Sequence, residues 1–173
     1  EVILMEAADR PGGQINLAAR VLRRKEILGI TDWLFDQVER LGVTIRLGCY
    51  AEALTVEAER PDIVIIATGG VPNLEFLGEE QALATSSWDV LAGTEKLKKN
   101  VLMYDDNAQH AGISCAEFIA EAGCSLEYVS PEMMVAPDIG GTNHPAYLRS
   151  LYGHAATITL NHRLLSVTRE DDG

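Results

Sequence analysis

Residues 62–70, DIVIIATGG, decide the fold. The apolar run 63–67 predicts a strand that is buried on both faces, as in parallel sheets. The run ends in Thr68-Gly69-Gly70, where the chain can turn tightly and a ligand can approach the backbone. Residues 2–5 predict a second apolar strand, which ends in the acid Glu6. Two strands of the chain therefore carry polar or glycine-rich groups at their carboxyl ends.

The rest of the chain alternates between strand and helix patterns. Strands are expected at 43–47, 53–56, 101–104, 126–129, 157–160 and 164–168. Helices are expected from an N-cap at Thr31 to Gly42, at 87–91, at 113–122 and at 144–152. This alternation predicts an α/β fold with Rossmann-like parallel sheets, arranged as two nucleotide-binding-type subdomains at 1–98 and 99–173. Both subdomains are predicted to be incomplete.

Composition narrows the classes of function. The net charge is −12 over 173 residues, which argues against nucleic acid and anionic membrane as partners. No apolar run approaches the roughly 20 residues of a membrane span, and no signal-peptide pattern is expected. Cys49, Cys115 and Cys124 form no C-x-x-C motif, so they predict free thiols in a reducing, cytoplasmic compartment. No metal site is predicted.

Glu6 and the loop Gly12-Gly13-Gln14 form a candidate ligand site. A carboxylate at a strand end can accept hydrogen bonds from the vicinal hydroxyls of a ribose. A glycine pair lets the loop pass close to a pyrophosphate or a flavin, where a β-carbon would clash. A solvated acid beside an ordinary turn is the alternative. Thr68 and Gly69 favour the ligand site, because ligands of open α/β sheets bind beyond the carboxyl ends of strands.

The order of these residues resembles a known enzyme group. Glu6, Gly12-Gly13-Gln14 and Ala67-Thr68-Gly69-Gly70-Val71-Pro72 look like the FAD- or ADP-binding C-terminal region of one family of enzymes. That family comprises trimethylamine dehydrogenase, 2,4-dienoyl-CoA reductase and NADH:flavin oxidoreductase. By this resemblance the chain is a fragment of a flavin-dependent oxidoreductase, in which a barrel domain outside the chain carries FMN and a four-iron cluster.

The resemblance also implies roles for single residues and partners. Gln14, Arg24 and Ala51 would line the cofactor, although Arg24 also suits a solvated basic cluster. No residue of this chain would be catalytic, because the chemistry on an amine or enoyl substrate would take place on the barrel. Partners would be the remainder of the parent enzyme and an electron-transfer flavoprotein. The chain alone is expected to be inactive, to bind little nucleotide, and either to rearrange locally or to self-associate.

The second subdomain departs from a dinucleotide pattern. After strand 101–104 the chain reads Asp105-Asp106-Asn107-Ala108-Gln109-His110-Ala111-Gly112, with one glycine left near the helix start. Side chains would block a pyrophosphate, and two carboxylates would repel it. NAD(P)H is therefore not expected to bind there. Two alternatives stay open: an NAD(P)H-dependent reductase, and a non-catalytic α/β module whose acidic second half docks an electron-transfer partner.

Overall fold

The computed structural model describes residues 1–169, which divide into two compact units. Unit 1 holds Glu1–Ala19 and Arg23–Val71, and unit 2 holds Arg20–Leu22 together with the residues from Pro72 on. Each unit has its own small parallel sheet with helices, which confirms the predicted α/β, Rossmann-like class. The subdomain boundary at residue 98 stays a prediction. The spatial division instead places 72–98 with unit 2, and residues 170–173 lie outside the described part.

Unit 1 is built on a two-stranded sheet. Strand β1 (Ile3–Met5) pairs in parallel with β2 (Thr44–Arg46), with Leu4 opposite Ile45. Parallel neighbours need a long crossover connection, and here it is helical. The connection contains α1 (Gln14–Ala18), a 3-10 helix (Leu22–Ile27) and α2 (Leu28–Arg40), and helix α3 (Ala53–Ala58) follows β2.

Helix α2 begins earlier than predicted and ends as predicted. Thr31 is not its N-cap, because the 3-10 helix runs directly into α2 at Leu28 without a capping break. At the other end, Gly42 has a φ of 72°, and the amide of Val43 donates to the carbonyl of Val38 over 3.1 Å. This is the glycine-terminated C-cap that the sequence indicated.

Residues 63–67 are not a strand in the structure. The side chains of Ile63, Val64, Ile65 and Ile66 are 80%, 56%, 85% and 82% exposed. A strand is assigned only where a neighbouring edge accepts its hydrogen bonds, and among the described residues the sheet of unit 1 has only β1 and β2. The prediction of a buried strand is therefore wrong for this chain as it stands.

Two other strand predictions are also wrong. Residues 53–56 lie in α3, since alanine, leucine and glutamate favour helix over a short extended segment. Residues 164–168 have no strand assignment. In that segment the amide of Val167 donates to Oε2 of Glu80 over 2.8 Å, so a side chain takes the place of a strand partner.

Unit 2 has a conventional layered core. Strands β3 (Asn100–Tyr104), β4 (Ser125–Val129) and β5 (Thr157–Thr159) form a parallel sheet in that order. Helix α5 (His110–Glu121) packs on β4, and it is flanked by α4 (Ser87–Ala92) and α6 (His144–Gly153). Fully buried side chains at this junction include Ile113, Ala116, Tyr128 and Leu151. No helix of the described residues is both long and apolar enough to cross a bilayer.

We predict that Ser86→Ala lowers the free energy of unfolding by about 1 kcal/mol, because Ser86 caps helix α4. Its oxygen accepts the amide of Asp89 over 3.2 Å, and its hydroxyl donates to Oδ2 of Asp89 over 2.6 Å. Urea unfolding followed by circular dichroism measures the loss. Ser87→Ala is the matched control, since Ser87 is the first helical residue and not the cap. An equal loss in both variants would contradict the capping role.

Candidate functional site

Glu6 lies where the sequence places it, directly after β1. Its backbone amide donates to the carbonyl of Arg46 over 3.0 Å, which continues the pairing with β2. Its carboxylate Oε1 accepts the amide of Ala8 over 2.9 Å, so the side chain turns toward the loop that follows. This bond fixes the carboxylate at the carboxyl end of the strand, the side of a parallel sheet on which ligands bind.

The two glycines of the predicted loop have different surroundings. A β-carbon on Gly12, whose φ is 111°, would lie 2.9 Å from Nδ2 of Asn16 and from Cγ2 of Thr31. Gly12 is therefore required for packing inside the protein. Gly13 has a φ of 45° and precedes α1, and no atom lies within 4 Å of the position of its β-carbon. The open space that a ligand needs is at Gly13.

Gln14 and Gly69 are brought together from distant parts of the sequence. Nε2 of Gln14 lies 3.4 Å from the position of a β-carbon on Gly69, whose φ is 71°. Thr68 precedes that turn and is exposed. The loop after β1 and the end of the 63–67 segment are thus neighbours in unit 1.

The positions of Arg24 and Ala51 do not connect them to the other predicted site residues. Arg24 lies in the 3-10 helix before α2 and is half-buried, and Ala51 is exposed in the loop before α3. Within residues 1–169, no recorded hydrogen bond or ion pair links either one to Glu6, Gln14 or Gly69. Their roles toward a cofactor stay predictions.

Unit 2 contains an interaction that the sequence reading did not identify. Asp105, directly after β3, is 3% exposed, and its Oδ2 accepts the hydroxyl of Tyr128 over 2.7 Å. Its Oδ1 accepts the amides of Asn107 and Ala108 over 3.0 and 3.3 Å. A β-carbon on Gly112, in the first turn of α5, would overlap the Asp105 carboxyl group. We call this cluster the Asp105 lock: Asp105, Tyr128, the two amides and Gly112.

The Asp105 lock changes the interpretation of the acidic pair. The sequence suggested that both carboxylates face a ligand, whereas Asp105 points into the protein and Asp106 is exposed. The amides of Asn107 and Ala108, which could otherwise donate to an anion, are bound by Asp105. The strand register explains this direction: Met103 pairs with Tyr128, so alternation along the strand places Asp105 on the same face as Tyr128, toward α5.

Burial raises the pKa of the Asp105 carboxyl, and the nearby Asp106 adds to the rise. The hydrogen bonds from Tyr128 and from the two amides oppose this rise in pKa, because they favour the ionised form.

Burial also raises the pKa of the Cys115 thiol to about 12, so this thiol stays protonated at neutral pH. Among residues 1–169, no group of three or more His, Cys, Asp or Glu side chains could hold a metal ion.

A cavity of about 560 Å³ lies beyond the carboxyl ends of β3 and β4 in unit 2. Its lining combines two acids with one base and two aromatic rings: Asp106, Glu132, Arg163, Phe76 and Tyr104, with Pro131 and Leu164. The cavity has the position of a ligand site in an open α/β sheet. Two amides of the loop after β3, those of Asn107 and Ala108, are already bound by Asp105.

Comparison with known proteins gives a consistent picture. The chain is 43% identical over 169 residues to the probable N-methylproline demethylase of Rhizobium meliloti (strain 1021), covering 98% of this chain and 25% of that protein. It is 42% identical over 179 residues to the N,N-dimethylglycine/sarcosine dehydrogenase of Chromohalobacter salexigens, covering 99% and 26%. The chain is a homologue of these oxidoreductases. It spans about a quarter of their length, and the resemblance drawn from Glu6, Gly12-Gly13-Gln14 and Ala67–Pro72 is confirmed.

The fold of the chain agrees with that of a solved structure. The structure of 2-naphthoyl-CoA reductase with 2-naphthoyl-CoA superposes with a TM-score of 0.88, at 24% identity, over 96% of this chain and 25% of that one. At this identity the likeness concerns the fold alone. No family model matches the chain.

We predict that Asp105→Asn removes a pH dependence of stability. The pKa of Asp105 is higher in the folded protein than in the unfolded chain. Its contribution to stability is therefore fully present below the unfolded-state pKa, and it is lost as the pH rises through the folded-state pKa. The free energy of unfolding of the parent chain should therefore fall relative to Asp105→Asn above about pH 4, which urea titrations at several pH values measure. The exposed Asp106→Asn should retain the slope. Parallel curves for Asp105→Asn and the parent chain would contradict the assignment.

We predict that Gly112→Ala destabilises unit 2 by about 1–3 kcal/mol, because the added methyl group overlaps the Asp105 carboxyl group. The same substitution in an Asp105→Ala background should cost much less, since the clash is gone. Urea unfolding of the two single variants and the double variant gives the coupling energy. Gly141→Ala, in a loop with open space around the β-carbon position, is the control. Additive costs at 105 and 112 would refute the close contact.

Proposed function

We propose that this chain is the C-terminal FAD- or ADP-binding part of a flavin-dependent oxidoreductase, with the nucleotide at the carboxyl end of the unit 1 strands. The observation that carries the proposal is the approach of Gln14 to Gly69. It supports the proposal because the loop after β1 and the turn at Gly69, which the sequence indicated separately, are neighbours in unit 1. The homologues support it, because their names are those of oxidoreductases.

The residues of unit 1 fit a dinucleotide or ADP group. The Glu6 carboxylate would accept the ribose hydroxyls, and the open space at Gly13 would admit a pyrophosphate. Gln14 would donate from Nε2, and the amides around Thr68 and Gly69 would line the far side. Arg24 would meet a phosphate or the flavin, and the Ala51 backbone would meet the adenine. When bound, a flavin supplies hydride or electron transfer, while the protein supplies binding and orientation.

The substrate class follows from the relatives and is proposed only for the longer polypeptide. Two of them act, by name, on N-methylated amino acids, so we propose a small amine substrate, with an enoyl compound as the second class. The chemistry would take place on a barrel domain with FMN and a 4Fe-4S cluster, outside this chain. Electrons would then leave to a partner such as an electron-transfer flavoprotein, and the compartment would be the cytoplasm.

The Asp105 lock argues against the alternative of an NAD(P)H-dependent reductase that uses unit 2. The carboxylate takes the amides of Asn107 and Ala108, and it fills the space beside Gly112. A pyrophosphate at that loop would have to displace a buried, three-fold hydrogen-bonded group and approach its negative charge.

We predict that Glu6→Gln weakens ADP or FAD binding about 10- to 100-fold in the longer polypeptide, because a hydrogen bond to a charged group contributes about 1.5–3 kcal/mol. The amide oxygen of glutamine can still accept the Ala8 amide, so the loop is retained. Calorimetric titration measures the affinity. Asp9→Asn, an exposed acid of the same loop, should bind as the parent does. Unchanged affinity in Glu6→Gln would refute the ribose assignment, and tight NADPH binding would favour the alternative.

A further inference from the structure

Unit 2 has a cavity that the nucleotide proposal does not use. It measures about 560 Å³ and lies beyond the carboxyl ends of β3 and β4, where open α/β sheets bind their ligands. Small-molecule sites in proteins have volumes of roughly 300–1,000 Å³. All residues that line this cavity belong to unit 2, so it is separate from the candidate site at Glu6 and Gly13. We call it the unit 2 cavity.

Backbone hydrogen bonds hold two walls of the unit 2 cavity side by side. The amide of Ser130 donates to the carbonyl of Thr159 over 3.0 Å, and the amide of His162 donates to the carbonyl of Ser130 over 3.0 Å. The amide of Asn161 donates to the carbonyl of Glu132 over 3.0 Å. Oγ of Ser130 also accepts the amide of Glu132 over 3.2 Å. The segments 130–132 and 161–163 are therefore fixed by the backbone and not by their charged side chains.

These two walls carry opposite charges that do not pair. Glu132 and Arg163 both line the cavity, and Asp106 adds a second carboxylate. Within residues 1–169, no hydrogen bond or ion pair is recorded for the side chain of any of the three. An acid and a base that face one cavity without contact can both offer charge-assisted hydrogen bonds to a ligand.

The rest of the lining is apolar and aromatic. It consists of the rings of Phe76 and Tyr104 and the side chains of Pro131 and Leu164. Phe76 is 57% exposed, so much of its ring is not covered by the protein. Ligand pockets typically combine apolar walls with a few polar groups that fix the orientation of the ligand. The unit 2 cavity thus has places for a positive group, a negative group and an apolar body.

We propose that the unit 2 cavity binds an α-amino acid with a large apolar side chain. The ammonium group of the ligand lies against the carboxylates of Asp106 and Glu132. Its carboxylate accepts two hydrogen bonds from the guanidinium group of Arg163. Its side chain packs against Phe76 and Tyr104. This inference goes beyond the proposed function, because the nucleotide binds to unit 1 and the amino acid to unit 2.

Other small ligands match the lining less well. A pyrophosphate would bring its negative charges toward two carboxylates and a single guanidinium group. The amides of Asn107 and Ala108 could not assist it, since Asp105 binds them. An amine without a carboxylate would leave the charge of Arg163 unmatched, and a carboxylic acid without an amine would leave both acids unmatched. A zwitterion provides a partner for each sign of charge.

Calorimetric titration of the chain with L-phenylalanine tests the site, and two analogues test its charges. Phenethylamine lacks the carboxylate, and phenylpropionate lacks the ammonium group. We expect saturable binding of phenylalanine at millimolar concentrations. Each analogue should bind at least about 10-fold more weakly, because hydrogen bonds to a charged group are lost. Equal affinity for phenylalanine and either analogue would overturn the proposal, as would the lack of saturable phenylalanine binding.

Two variants assign the charges to their residues. Arg163→Gln should weaken phenylalanine binding at least about 10-fold and leave phenethylamine binding unchanged. Glu132→Gln should weaken the binding of phenylalanine and of phenethylamine but not that of phenylpropionate. Arg149→Gln and Glu121→Gln change exposed charges of α6 and α5 outside the cavity lining, and they should bind all three ligands as the parent chain does. Equal losses for all three ligands in Arg163→Gln or Glu132→Gln would overturn the charge assignment.

Nucleotides separate this inference from the proposed function. Saturating ADP should leave the phenylalanine affinity of the longer polypeptide unchanged, because the two sites lie in different units. Displacement of phenylalanine by ADP or by NADPH would overturn the amino-acid site. Phenylalanine binding in a longer polypeptide that binds no ADP would keep the amino-acid site and refute the nucleotide proposal. ADP binding without phenylalanine binding would do the reverse.

Discussion

One constraint dominates unit 1: the aliphatic segment of residues 63–66 is not covered by the unit's own two-stranded sheet. Its side chains need cover on two faces, and its backbone needs partners on its edges. Within residues 1–169 the structure shows neither, and β1 and β2 form a two-stranded ribbon, which is marginal in water. The Glu6 carboxylate, the open Gly13 and the Gln14–Gly69 contact all lie on this incomplete frame. The candidate ligand site and the uncovered segment 63–66 therefore belong to the same part of unit 1.

Unit 2, in contrast, has a packed core of its own. Three parallel strands and three helices enclose a packed core, and fully buried side chains such as Ile113, Tyr128 and Leu151 hold it together. Its phosphate-type loop is closed from within, because Asp105 binds the loop amides and occupies the space beside Gly112. The buried acid that holds this loop is thus also a part of the core.

The sequence predicts the architecture of unit 2 closely, because local pattern and tertiary packing agree there. The strands predicted at 101–104 and 126–129 and the helix between them, which ends before Gly123, are all found in place. Prediction fails where the outcome depends on a distant partner. Residues 63–67 have the composition of a strand but no neighbour, and Val167 bonds to Glu80 instead of a strand. Residues 53–56 failed for a local reason, since their helix-forming residues outweigh a short alternation.

For the candidate site, the sequence indicates which residues to consider, and the structure shows which of them lie close together. Nε2 of Gln14 approaches the β-carbon position of Gly69, which is 55 residues away in the sequence, and no local pattern reveals this. The inward direction of Asp105 requires knowledge of the register with Tyr128. The structure also divides the glycine pair into a packing residue, Gly12, and a residue with open space, Gly13.

The most direct test of the central claim is an experimental structure of the longer polypeptide soaked with ADP. The account predicts nucleotide density at the carboxyl end of unit 1, with the ribose on Glu6 and the pyrophosphate near Gly13 and Gln14. It predicts an unchanged Asp105–Tyr128 hydrogen bond in unit 2. Density at the loop 105–112, with Asp105 displaced from Tyr128, would contradict the account.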